Sequence, residues 1–286
     1  MLVLTVLPAA LGCPVVQRQN FPATIHKLTA LESGRQYYLY VPSTYHADRQ
    51  WPLVITCHGT VPYDDANRQI REWAALAERR GFIVAAPKLV GTRGDLPRSP
   101  EKQIALQRQD EQAILEIVQR IKASRNVAED RVFLTGWSAG GYAVLFTGLR
   151  NPDVFRALAV RQGNFDARFL GPVMHRLDRH QPILVFFGAN DLLKAQAEAC
   201  IRWLRRQRMN VHRREIAGGH VRRPDVAYGF FRQCVRQYPW IRASFSVGWQ
   251  GDPMAVRFRA RCDPAPLEYR WQFGDGATER GRQVAH

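Results

Sequence analysis

The run Val132-Phe133-Leu134-Thr135-Gly136-Trp137-Ser138-Ala139-Gly140-Gly141 decides how this chain is read. Its apolar start predicts a buried strand, and its glycine-rich second half has the composition of a sharp strand-to-helix turn. Such a turn lifts a serine hydroxyl clear of the sheet and needs small residues two positions either side of the nucleophile. Gly136 and Gly140 meet that need, so Ser138 is the candidate nucleophile of a nucleophile elbow. The same short pattern also occurs in ordinary glycine-rich turns. The rest of the chain must therefore supply the partners that an activated serine requires.

Working outward, short apolar runs alternate with amphipathic stretches from Tyr37 to about Tyr238, the order of a mainly parallel α/β sheet. The runs are 37–41, 53–57, 82–86, 132–135, 157–160 and 183–187, most of them bounded by Gly or Pro. Between them, Ile114, Ile117, Val118 and Ile121 keep an i, i+3, i+4, i+7 spacing, as do Ala227, Phe230, Phe231 and Cys234. Both read as core-facing helix stripes. Trp73, Leu76 and Ala77 mark another helix, ended by Gly81. The segment from Gly91 to Pro100 reads as a surface loop near the mouth of the site.

An activated serine needs a histidine to take its proton and an acid to hold that histidine in the right tautomer. On a doubly wound hydrolase sheet they follow in the order serine, acid, histidine. Asp191, in Gly188-Ala189-Asn190-Asp191, lies 53 residues beyond Ser138 and just past the strand 183–187. His220 comes 29 residues later, after Gly218-Gly219 and the strand-like 211–216. Both project from loops that follow strands, the edge of an open α/β sheet where sites form. Asp166, after the strand 157–160, is the competing acid. His212 is the competing histidine, although its place inside a strand suits packing better. For the oxyanion hole, Ala139 offers the backbone N–H after the nucleophile, and Cys57-His58-Gly59-Thr60 closes an early strand so that Thr60 offers a second. His58 itself reads as a hydrogen-bonded loop anchor rather than an acid or base.

Several of these stretches together resemble exported esterases related to polyhydroxybutyrate depolymerases and to feruloyl or acetylxylan esterases. The matching segments are Arg35 to Pro42, Cys57-His58-Gly59, Asp130 to Gly141, Asn151 to Phe155, and Gly218-Gly219-His220. The resemblance spans about Arg35 to Cys234 and implies an α/β-hydrolase fold. It also implies hydrolysis of an ester-bearing polymer or oligomer through a serine acyl-enzyme, with no metal and no organic cofactor. It does not fix the acyl group. Gly-Trp-Ser-x-Gly-Gly also occurs in prolyl-oligopeptidase-like peptidases, which leaves amide cleavage as an alternative. A polymer-binding surface protein without turnover is a further one.

Beyond Tyr238-Pro239-Trp240 the pattern changes to short alternating strands. There Trp271-Gln272-Phe273-Gly274-Asp275-Gly276, followed by Val284-Ala285-His286, resembles the signature of PKD-type immunoglobulin-like modules. About half of such a sandwich is present, which leaves an unpaired edge and an open core. The tail is thus expected to pack poorly, and the natural gene to continue. The organisation read from the sequence is a leader at 1–17, an α/β-hydrolase domain at 18–240, and a partial PKD-like β module at 241–286.

The leader is apolar from Met1 to Gly12 and ends Ala9-Ala10-Leu11-Gly12-Cys13, which resembles a lipoprotein signal with Cys13 as lipid acceptor. Export to the periplasm, cell surface or medium is the expectation. The net charge of +16 comes mostly from arginine, which is spread along the chain without a zinc-finger or RNA-binding signature. Nucleic acid is accordingly not the expected partner. No Cys-x-x-Cys pair is present, which argues against a zinc site. Cys57 reads as a small core residue, and Cys200 and Cys234 as candidates for a bridge in an oxidising compartment.

Overall fold

Alternation along the strands assigns each side chain to one of two layers. The computed structural model describes residues 24–94, 98–238, 240, 242–249, 256–263 and 268–286. The leader with Cys13, and residues 95–97 of the loop expected near the site mouth, lie outside them.

Eight strands form one sheet: β1 (Ile25–Thr29), β2 (Gln36–Tyr40), β3 (Trp51–Cys57), β4 (Ile83–Pro87), β5 (Val127–Trp137), β6 (Ala157–Arg161), β7 (Ile183–Gly188) and β8 (Val211–Ile216). Their order is β1-β2-β4-β3-β5-β6-β7-β8. The pairings β1/β2 and β2/β4 are antiparallel and the rest are parallel. Four helices lie between successive strands of this sheet, α1 (Ala66–Arg80), α2 (Pro100–Ser124), α3 (Gly140–Arg150) and α4 (Lys194–Arg206), and α5 (Pro224–Gln237) follows β8.

Leu53, Ile55, Leu134, Leu158 and Val185 face one way and pack with residues of α2, α3 and α4. Val54, Phe133, Ala159 and Phe186 face the other way and pack with α1 and α5. Because both faces are covered, the central strands are apolar on both sides and read as continuous runs. Both predicted helix stripes are buried. β1 carries only exposed or half-buried side chains, so no apolar run announces it.

The two-layer arrangement corrects the cysteine expectation. Cys200 on α4 belongs to one layer and Cys234 on α5 to the other, with the sheet between them. Both are free thiols, as is Cys57, and burial pushes all three up. A disulfide requires Cα atoms within about 7 Å, which an intervening sheet forbids.

Past α5, β9 (Arg242–Trp249) pairs antiparallel with β10 (Val256–Asp263), which also pairs with β13 (Gln283–Ala285). β11 (Arg270–Gln272) and β12 (Thr278–Arg280) form a second ladder. Phe258 gathers Phe245, Trp271 and Phe273 around it. Phe245, Val247 and Trp249 nevertheless stay more than half exposed. Among the described residues no helix is long and apolar enough to cross a membrane.

Candidate active site

Ser138 sits between β5 and α3 with φ 54°, the left-handed region that a non-glycine residue occupies at a cost of ~1–3 kcal/mol. Glycines make that turn possible. A Cβ on Gly136 would strike the carbonyl of Gly140, and one on Gly140 would lie 2.5 Å from the Cys57 carbonyl oxygen. The elbow is therefore pressed against the end of β3. The Ser138 N–H donates to the Arg161 carbonyl at 3.1 Å, and its carbonyl accepts from the N–H groups of Gly141 and Asn164.

Asp191 and His220 meet on the loops that follow β7 and β8. His220 Nδ1–H donates to Asp191 Oδ1 at 2.9 Å, and the same oxygen accepts the Leu193 N–H. Nε2 is thus the nitrogen free to take a proton. Their loops are packed backbone to backbone: a Cβ on Gly188 would strike the carbonyls of Gly218 and Gly219, and the Asn190 N–H donates to Gly218 O at 3.0 Å. The His220 ring lies 4.5 Å from that of Trp137, the neighbour of Ser138 in the chain. The Asp191 side chain is fully buried, whereas that of His220 is 19% exposed.

The loop after β3 approaches Ser138 closely enough that a Cβ on Gly59 would lie 3.1 Å from Ser138 Cβ. The N–H groups of Thr60 and Ala139 donate to no acceptor among the described residues. His58 anchors this loop. The Leu89 N–H donates to His58 Nε2 at 2.9 Å, so the ring proton sits on Nδ1 and is donated to Gly59 O at 2.8 Å. Burial holds the imidazole below its ordinary range, in the neutral form those two bonds require.

The competing residues are engaged elsewhere. Asp166 caps a 3-10 helix (Ala167–Arg176) and pairs with Arg168 at 2.6 Å, which holds its carboxyl below the usual range. His212 packs against Phe230 and contacts the Tyr238 hydroxyl at 3.3 Å.

A buried ionic network beneath the site is not evident from the sequence. Arg161 ends β6 fully buried, and all five of its guanidinium N–H groups are used. They reach Thr135 Oγ1, Glu72 Oε1, the Arg222 carbonyl, Thr56 Oγ1 and Gln69 Oε1 at 2.6 to 3.2 Å. Asp64 Oδ2 accepts from the Gly59 N–H at 2.7 Å and the Gln69 amide at 2.8 Å, while Oδ1 accepts from Arg222 at 2.8 Å. Arg222 also lies 4.2 Å over the Trp137 ring. Asp64 and Arg222 thereby tie the loop after β3 to the histidine loop and the elbow. The one hint in the sequence is an arginine closing the apolar run 157–160. Among the described residues no group of three or more His, Cys, Asp or Glu side chains is placed to hold a metal ion.

Superposition on solved structures decides the fold. The chain has the α/β-hydrolase fold. A ferulic acid esterase from Anaeromyces mucronatus superposes with a TM-score of 0.57 at 14% identity, covering 77% of this chain and 94% of that one. S-formylglutathione hydrolase from Staphylococcus aureus gives 0.56 at 15% identity, covering 74% and 94%. A dipeptidyl aminopeptidase IV from Bacteroides ovatus gives 0.53 at 15% identity, with 74% of this chain against 35% of that one. The sequence model of the prolyl oligopeptidase family matches residues 69–180, which include Ser138 but neither Asp191 nor His220. A bifunctional acetylxylan esterase/xylanase from Neocallimastix patriciarum is 28% identical over 113 residues. That alignment takes in 38% of this chain, which spans about 15% of the relative's length.

Proposed function

We propose that the chain is a serine esterase that hydrolyses carboxylic esters, either acyl esters carried on a polysaccharide or short polyesters. The observation that carries this reading is the Asp191–His220 hydrogen bond beside a left-handed Ser138, with the unengaged N–H groups of Thr60 and Ala139 at the same place.

Ser138 Oγ attacks the ester carbonyl carbon while its proton passes to His220 Nε2. Asp191 keeps Nδ1 protonated and stabilises the imidazolium that forms. The carbonyl oxygen becomes an oxyanion and takes the N–H bonds of Thr60 and Ala139, donors fixed before the reaction and therefore effective without reorganisation. The alcohol leaves with the proton from His220. Water, deprotonated by His220, then attacks the acyl-serine and frees the acid.

The names of the esterase relatives support ester over amide as the bond cleaved. The prolyl oligopeptidase match favours a second reading, cleavage of a peptide amide. Rates on acetylated xylan, feruloylated oligosaccharide and short polyhydroxyalkanoate, set beside a proline-containing peptide anilide, separate the two. Ester turnover abolished by Ser138→Ala is expected. Turnover of the anilide but of none of the esters would replace the esterase reading with the peptidase one. We further propose that residues 1–17 direct export with Cys13 as lipid acceptor, and that 241–286 are PKD-like.

A further inference from the structure

Three arginines gather at the edge of the sheet away from Ser138. At the N-terminal ends of the parallel strands, Arg131, Arg232 and Arg236 line an open trough of about 210 Å³ floored by Pro52, Phe133 and Tyr228. Arg131 lies on β5 seven residues before Ser138, which puts the trough on the order of 20 Å from the nucleophile along an extended strand.

Among the described residues no carboxylate lines it. Among the described residues Arg80, Arg232 and Arg236 make no ion pair. Arg131 Nε is shut off from solvent without a hydrogen-bond acceptor, and Asp130 Oδ1 stands 3.6 Å away. Arg49, stacked on Trp51 at 4.6 Å, and Arg80 extend the same face, since both act with Arg131 and Arg232 on the Tyr228 hydroxyl. Burial keeps that phenol above its ordinary range even against four guanidinium groups. Arg131 has Asp130 at 3.6 Å, but the other guanidinium groups of this face have no carboxylate paired with them among the described residues, and such groups held together repel one another. An anion that accepts their paired N–H groups relieves the repulsion and gains charge-assisted hydrogen bonds.

The shape narrows the class of anion. The trough opens to solvent and its arginines come from two elements, β5 and α5, so it suits a chain laid across it better than a small ion held in a cradle. Phe133 and Tyr228 are buried, stacked on Phe231 and Phe82, and offer no exposed ring on which a nucleobase could stack. None of the large exposed apolar side chains of the described residues lines it, which removes the means of inserting into a bilayer.

We propose that this trough binds a carboxylate-bearing polysaccharide and holds the polymer to the protein while Ser138 works at the other edge of the sheet. The choice of a polysaccharide rests on the esterase reading above; the anionic character of the ligand does not.

The test measures binding of the full chain carrying Ser138→Ala to polygalacturonate, to neutral xylan and to a DNA duplex at 0.15 M salt. The expected result is binding to polygalacturonate that weakens with added salt, none to xylan, and weaker binding to the duplex. Arg232→Glu with Arg236→Glu, in the Ser138→Ala background, lowers polygalacturonate affinity at least tenfold. The same pair placed in the active chain leaves p-nitrophenyl acetate turnover unchanged, which also reports that the variant is folded. Should the charge-reversed pair fold poorly, Arg232→Gln with Arg236→Gln is expected to show a smaller loss in the same direction. Undiminished polygalacturonate affinity in a folded variant, or equal or tighter binding to the duplex, overturns the proposal. Failure of every ester assay with polygalacturonate binding intact would count against the esterase reading and leave the anion site standing.

Discussion

Replacing Asp64 tests whether the buried ionic network sets the loop that faces Ser138. Asp64→Ala removes the acceptor for the Gly59 N–H, for the Gln69 amide and for one arm of Arg222. Arg161 and Arg222 then share Glu72 as their remaining carboxylate in the network. Breaking a buried pair costs about 3–5 kcal/mol. Arg222 is 28% exposed, so water replaces part of what is lost and the lower end, about 3 kcal/mol, applies. At roughly 2–4 °C per kcal/mol for a domain of this size, the melting temperature falls by roughly 6–12 °C. Asp64→Asn keeps an acceptor near the Gly59 N–H and loses the charge, so its loss is smaller. The catalytic consequence is separate. Gly59 precedes Thr60, and removal of a whole oxyanion donor lowers kcat by about 10²–10³. A loosened donor is expected to lower kcat at least tenfold with KM little changed. The assays are differential scanning calorimetry and steady-state hydrolysis of p-nitrophenyl acetate. A melting temperature within about 2 °C of the parent and an unchanged kcat would refute the anchoring role.

Three further outcomes rest on the same geometry. His58 is held below its ordinary range in the folded chain, so the unfolded chain binds the extra proton first as pH falls. Its stabilisation is complete above about 6.5, the unfolded value, and is lost as pH drops toward the folded one, so melting temperatures between pH 7.5 and 5.5 should decline more steeply in the parent than in His58→Gln. Gly140→Ala places a methyl 2.5 Å from the Cys57 carbonyl oxygen and 2.8 Å from that of His58, both backbone atoms, so it should cost more stability than Gly229→Ala, whose Cβ meets nothing within 4 Å; comparable urea midpoints for the two would count against a close-packed elbow. Intact-mass analysis under oxidising conditions should find no Cys200–Cys234 bridge in the folded protein.

The parts of this molecule that the sequence makes plain are those where one local rule suffices. Ile183 to Phe187 is apolar on both faces and reads as a buried strand wherever it occurs, and Gly136 and Gly140 flank Ser138 because the turn leaves no room for larger residues. Asp191 and His220, which the structure joins by a hydrogen bond, stand out in the sequence because each closely follows the end of a strand. The network under them does not, since Asp64, Gln69, Glu72, Arg161 and Arg222 are common polar residues whose meaning comes from being brought together across as many as 158 positions. β1 escapes notice because its side chains face solvent and it joins the sheet through backbone bonds to β2. The cysteine pairing fails for a related reason: periodicity places Cys200 and Cys234 on inner helix faces, but only the topology tells which side of the sheet each helix covers.

Mass spectrometry after exposure to a fluorophosphonate reads out whether His220 and Asp191 make Ser138 nucleophilic. One adduct per chain is expected on the peptide containing Ser138, none in Ser138→Ala, with labelling at least a hundredfold slower in His220→Ala. No adduct on the parent protein, or an adduct that persists in folded Ser138→Ala, would contradict that activation.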